Sequence, residues 1–285
     1  MLRLRLYLFA GVCATLTQSV AASEPELTIV AGGRMATYAP ASLLALPAAT
    51  NVTIPGDVAY KRDMTFRAVP LAGLLAGVGP DETIRFVAND GYVANLAAAP
   101  LLARGDGAVA YLAIEPPDAP WPALKSGESA TAGPFYVVWV RPELGGIRSG
   151  QWPYQVARIE SVAPLVKRYP LLAPAPGLSA QDPIRHGFAA YEKHCSACHT
   201  LNLEGDATIG PDLNVPYNPT EYLRVDALRR LIRDPQSLRR WQAAKMPRFP
   251  VTSLSDRELT DLLAYLRHMA DRKVALTPAK QPEQK

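Results

Sequence analysis

The chain has 285 residues, of which 27 are proline and 19 are glycine, and 48% of its residues are apolar. This apolar content excludes wholesale disorder, and a proline content well above the usual ~5% excludes a helical bundle throughout. The length predicts two domains, and a formal net charge of +4 is too small to indicate a nucleic-acid-binding protein.

Residues 1–22 have the pattern of a secretory signal peptide. Arg3 and Arg5 precede an apolar run, and small residues lead to a cleavage site near Ala22. The run is shorter than the ~20 residues that span a bilayer, so we expect a periplasmic protein with no stable membrane insertion. Cleavage removes Cys13, which leaves Cys195 and Cys198 without a wider disulfide framework.

Residues 23–165 predict a mixed, β-rich α+β domain. Short β-prone runs alternate with turn signals, and Asn89-Asp90-Gly91 predicts a hairpin turn. Short helices are expected at residues 41–46 and 71–76. The predicted strands lie at residues 27–30, 65–69, 83–88, 108–114, 135–140 and 154–159.

The remainder predicts a proline-rich linker at residues 166–181, an all-α domain at 182–272 and a tail at 273–285. Helices are expected at residues 183–194, 226–233 and 254–269. Asp182 is the predicted N-cap of the first of these helices. Ser255 and Glu258 form a capping-box pattern at the start of the last one.

The segment Cys195-Ser196-Ala197-Cys198-His199 is a C-x-x-C-H motif. Two thiols at this spacing can add to the vinyl groups on one edge of a haem, and the adjacent histidine then reaches the iron. We therefore predict one covalently bound haem c with His199 as a ligand. Met246 is the predicted second axial ligand because it stands in a proline-bounded loop; the other candidates are Met269, His186, His194 and His268.

Residues 180–272 resemble a class I cytochrome c domain. The resemblance rests on Gly187 and Tyr191 before the motif, on Gly210-Pro211-Asp212-Leu213 after it, and on Lys245-Met246-Pro247. It implies that the Pro211 carbonyl accepts a hydrogen bond from the His199 ring. It also implies that Gly187 lets the first helix cross the last one closely, near Tyr265, and that the domain transfers electrons.

Residues 222–250 carry a net charge of +6, which favours a redox partner with an acidic docking face. An exported haem protein is not expected to bind nucleic acid. The basic side chains are Arg224, Arg229, Arg230, Arg233, Arg239, Arg240, Lys245 and Arg248.

The N-terminal domain weakly resembles molybdopterin-binding domains of the sulfite oxidase type, in residues 66–71, 87–92 and 151–155. This resemblance implies an alternative function, an oxidoreductase that oxidises a small anion such as sulfite. That family binds molybdenum through a cysteine, and residues 23–194 contain none. The sequence thus argues against molybdopterin and favours a non-catalytic docking or ligand-binding domain on an electron carrier. Candidates for an anion site are Arg141, Arg148, Trp152 and Tyr154.

Overall fold

The computed structural model describes residues 24–241 and 244–275. The predicted signal peptide lies outside the described residues, as do residues 276–285 of the predicted tail. Within the described ranges, no helix combines the length and the apolarity that a membrane crossing needs.

The first half of the chain forms two sheets. The strands are β1 (Leu27–Ala31), β2 (Arg34–Tyr38), β3 (Thr50–Ile54), β4 (Met64–Pro70), β5 (Thr83–Ala88), β6 (Val93–Ala97), β7 (Val109–Ile114), β8 (Phe135–Val140) and β9 (Val156–Val162). One sheet has the order β2-β1-β9-β5-β6, and the other has the order β3-β4-β7-β8. β1 and β9 run parallel, and the remaining pairs are antiparallel.

Both sheets contribute to one apolar core, which buries Phe66, Phe86 and Tyr136. Three short helices, α1 (Pro40–Leu44), α2 (Leu71–Leu74) and α3 (Ala98–Leu102), add apolar side chains to this core. The predicted β-rich α+β class is therefore confirmed. β2 and β3 were not predicted from the sequence, because their exposed polar residues weaken the apolar pattern of a strand, and β6 was indicated only by the hairpin turn that precedes it.

The second half of the chain is helical. Its helices are α4 (Leu165–Arg168), α5 (Pro183–His194), α6 (Pro219–Tyr222), α7 (Val225–Arg233), α8 (Pro235–Leu238) and α9 (Asp256–Ala270). The predicted caps are confirmed: Asp182 accepts a hydrogen bond from the Ile184 amide at 2.8 Å, and Ser255 forms a capping box with Glu258.

α5 and α9 cross at Gly187. A Cβ atom at this position would lie 2.0 Å from the Asp261 carbonyl oxygen and 2.7 Å from the Tyr265 Cβ atom. The rings of Phe188 and Tyr191 pack against Tyr265, with centroid distances of 5.5 and 5.7 Å. The close crossing expected near Tyr265 is thus confirmed, and it requires glycine.

The segment predicted as a linker, residues 166–181, packs on the helical domain. Leu165 and Leu172 are buried in the helical core, and the Tyr265 hydroxyl donates to the Leu172 carbonyl at 2.7 Å. The sequence does not reveal this packing, because the prolines turn the chain too often for apolar residues to recur along one face. The connection between the two domains is therefore short and well anchored.

Candidate haem site

The C-x-x-C-H motif continues α5 as one further turn. The Cys195 amide donates to the Tyr191 carbonyl at 2.9 Å, and the His199 amide donates to the Cys195 carbonyl at 2.9 Å. Cys195 and Cys198 form no disulfide bond with each other. Burial, with a smaller contribution from the nearby Cys198, raises the pKa of Cys195 to about 12. Both thiols thus stand on one turn, at the spacing that the two vinyl groups of one haem require.

The His199 ring has a fixed orientation and a fixed proton position. Its Nδ1 atom lies 2.7 Å from the Pro211 carbonyl oxygen, which confirms the expected hydrogen bond. A carbonyl can only accept, so Nδ1 carries the proton and the Nε2 lone pair stays available to a metal. Burial is the main influence on the pKa of His199 and lowers it, which favours the neutral ring. The tautomer follows from this geometry.

Gly210 makes this arrangement possible. A Cβ atom there would lie 2.5 Å from His199 Cε1 and 2.6 Å from His199 Nδ1. The Gly210 amide also donates to the Cys198 carbonyl at 2.6 Å. In the sequence, Gly210 stands out only as part of the segment that resembles cytochrome c, and only the tertiary structure shows that the imidazole occupies the space of its missing side chain.

Met246 lies in the loop between α8 and α9. Its side chain is partly buried and packs against the same helical core as Cys195. Arg233 anchors this loop, since its guanidinium donates to the Phe249 and Leu254 carbonyls and forms an ion pair with Asp256 at 2.7 Å. Arg233, one of the eight basic residues of the predicted docking region, therefore supports the loop that contains Met246.

The other ligand candidates have different surroundings. Met269 is buried in the helical core, and His268 Nε2 accepts from the Ala175 amide at 3.0 Å. His186 is partly exposed, and its Nδ1 lies 3.6 Å from an Asp261 oxygen. His194 packs edge-on against Phe249 at 5.9 Å, and its buried Nε2 has no hydrogen-bond partner within the described part of the chain.

The donor set fits haem c: two thiols on one turn, a neutral imidazole with a free Nε2 and a thioether at the edge of the same core. Residues 184–270 match the family model of cytochrome c. The helical half of this chain therefore matches a cytochrome c domain, and the match runs from α5 to the last residue of α9. No curated protein matches the chain.

The cytochrome c match does not extend to the sheets, so the resemblance of the N-terminal domain to the sulfite oxidase type stays a prediction. The four candidate anion-site residues have separate roles. Arg141 donates to the Gly105 and Gly107 carbonyls, Trp152 is buried, and Tyr154 is exposed. Arg148 reaches across to the Thr252 carbonyl at 3.4 Å. Residues 24–241 and 244–275 contain no group of three or more His, Cys, Asp or Glu side chains arranged to hold a metal ion.

Proposed function

We propose that this chain is an exported, periplasmic electron-transfer protein that carries one haem c. The observation that carries the proposal is the C-x-x-C-H turn, whose histidine is fixed on the Pro211 carbonyl within a region that matches cytochrome c. Cys195 and Cys198 would hold the haem. Each S–H would add across one vinyl group of the haem, a redox-neutral addition that forms one C–S and one C–H bond.

His199 and Met246 are the proposed axial ligands. When bound, the haem supplies a one-electron ferric–ferrous couple. Among the protein groups, Pro211 holds the proton on Nδ1 of His199 and so keeps Nε2 for the iron. A methionine thioether is a soft ligand that favours the ferrous state and raises the reduction potential.

The test compares Met246→Ala with Met35→Ala in the purified full chain, expressed in a host that attaches haem c. Met35 is 73% exposed and lies in the N-terminal domain, so it controls for loss of a thioether. Mass spectrometry is expected to show one covalent haem in both variants, and Met246→Ala alone should lower the potential and change the iron absorption bands. Absence of covalent haem in the wild-type chain would refute the function, and unchanged bands in Met246→Ala would refute the ligand.

We further propose that an acidic redox partner docks on the basic surface, defined here as Arg230, Arg239, Arg240, Lys245 and Arg248. All five side chains are exposed; Lys245 and Arg248 lie in the loop of Met246, and the other three precede Met246 in the chain. Arg233 is omitted because it holds the protein's own loop. A positive field near the haem attracts anionic partners and loses strength with salt.

Stopped-flow reduction by ferrocyanide and by a cationic ruthenium hexaammine complex probes this field. Replacement of Arg230, Arg239 and Arg240 by glutamine should slow the anionic reagent and speed the cationic one at low salt. The matched control replaces three exposed cations of the N-terminal domain, Arg34, Lys61 and Arg62, by glutamine and should change neither rate. Equal salt dependence in the wild type and the triple variant would refute the docking surface.

A further inference from the structure

The two domains meet at a buried carboxylate. Asp206 follows the C-x-x-C-H motif in the chain, and its side chain is only 4% exposed. It accepts hydrogen bonds from Arg85 on β5 at 2.6 Å and from Asn95 on β6 at 3.2 Å. Arg168 on α4 and the Tyr169 hydroxyl add contacts at 2.8 Å. Two strands of the N-terminal domain and the connecting segment thus converge on one side chain beside the haem-binding motif.

These partners keep Asp206 ionised. Burial alone raises its pKa, but hydrogen bonds from Arg168 and Tyr169 and the nearby guanidinium charges leave the pKa below its ordinary value. Arg85 is held from the other side by Glu160 on β9. Removal of one member of such a buried network is costly because it leaves the other charges unpaired. The network therefore holds the two domains in one fixed arrangement.

The hairpin turn between β5 and β6 lies against the motif. Gly91 has a φ of +85°, and a Cβ atom at this position would lie 3.3 Å from the Thr208 hydroxyl. Tyr92 follows Gly91 in this turn. Burial, with a smaller contribution from Cys198, raises the pKa of Tyr92 to about 12. The turn therefore lies against the segment that follows the motif.

Further contacts join the N-terminal domain to the loop of Met246 and to α5. Arg148 donates to the Thr252 carbonyl at 3.4 Å, and a Cβ atom at Gly150 would lie 3.8 Å from the Lys193 carbonyl. Lys193 precedes Cys195, whereas Thr208 follows His199. The N-terminal domain thus lies against the chain both before and after the motif.

We propose that the N-terminal domain is a fixed cap over the thiol-bearing edge of the haem site, anchored by Asp206, so that redox partners approach through the basic surface. The inference rests on the proposed function, because the two thiols define this edge only when they bind a haem. A cap that excludes water there disfavours the more highly charged ferric state and so raises the reduction potential. Tyr92 is the positioning residue of this cap, because it belongs to the turn that lies against Thr208.

The test uses the haem-loaded full chain and two independent variants, Tyr92→Ser at the edge and Asp206→Asn at the anchor. Tyr217→Ser is the matched control, because Tyr217 is 70% exposed on the helical domain. Three quantities are measured: the reduction potential, the rate of reduction by a small uncharged quinol, and amide hydrogen exchange.

We expect Tyr92→Ser to lower the potential and to increase the quinol rate several-fold. Asp206→Asn should do the same and should also speed amide exchange in residues 89–92 and 199–210 together. If both haem-loaded variants match the control in all three quantities, the cap is refuted and the electron-transfer function stands. If the wild-type chain attaches no haem, the function itself fails, and this outcome is read directly from the protein mass. If Asp206→Asn does not fold, Tyr92→Ser alone tests the cap, through the reduction potential and the rate of reduction by the quinol.

Discussion

The crossing of α5 and α9 gives a sharp prediction for Gly187→Ala. In an open helix this change stabilises the fold by roughly 0.5–1 kcal/mol, because alanine restricts the unfolded chain. Here the new methyl group would lie 2.0 Å from the Asp261 carbonyl oxygen and 2.6 Å from its carbon. These are backbone atoms, so no side-chain rotation relieves the overlap. Overpacking of this kind costs about 1–3 kcal/mol, and we expect a net loss of about 1–2 kcal/mol.

Thermal unfolding followed by far-UV circular dichroism measures this loss, and hydrogen exchange assigns it to α5 and α9. For a domain of this size, the loss corresponds to a fall of about 4–16 °C in Tm. Gly73→Ala in α2 is the matched control, because a Cβ atom at this position meets no atom within 4 Å. A Tm for Gly187→Ala equal to that of the control would refute the close crossing and, with it, the described placement of the motif-bearing helix.

Three further changes test the surroundings of the site. Arg233→Ala should speed amide exchange in residues 244–254, since three groups of that segment and of α9 lose their guanidinium partner, whereas exposed Arg230→Ala should not. Asn214→Ala removes buried hydrogen bonds to Met269, Asn202 and Asn218, so urea unfolding should show that the free energy of unfolding falls by at least about 2 kcal/mol. The control is Asn51→Ala at an exposed position, and a smaller fall for Asn214→Ala than for this control would contradict the network. Burial raises the pKa of Glu192 to about 7, from an ordinary value of 4.5, so the folded chain binds this proton more tightly than the unfolded chain. The contribution of Glu192 to the free energy of unfolding should therefore fall as pH rises from 4.5 to about 7. Glu192→Gln should flatten the plot of unfolding free energy against pH in this range, and an unchanged slope would show that the carboxyl group is exposed to water.

Local signals in the sequence determined much of the structure. Asp182 followed by Pro183 sets the start of α5, and Ser255 with Glu258 sets the start of α9, because these side chains satisfy amide groups within one helical turn. Strands β5 and β8 have the predicted bounds, since their apolar runs end at clear turns. The haem-binding motif is local for the same reason: its two thiols and its imidazole belong to five consecutive residues.

Other features depended on partners that are distant in the chain. Arg233 was one of eight similar charges in the sequence, and its role depends on carbonyl groups 16 and 21 positions later. The proline-rich segment was predicted as a linker because burial of Leu172 needs α9 beneath it, and no local pattern reports that contact.

The sequence by itself determined that this protein has a β-rich half, a helical half and a motif suited to covalent haem. Only the tertiary structure decided how the two halves meet. Asp206 and Arg85 are 121 positions apart and form an ion pair because the tertiary structure brings one surface of each domain together. Such pairing depends on burial and on charges that both domains contribute. Local sequence patterns carry no information about which of these distant groups meet.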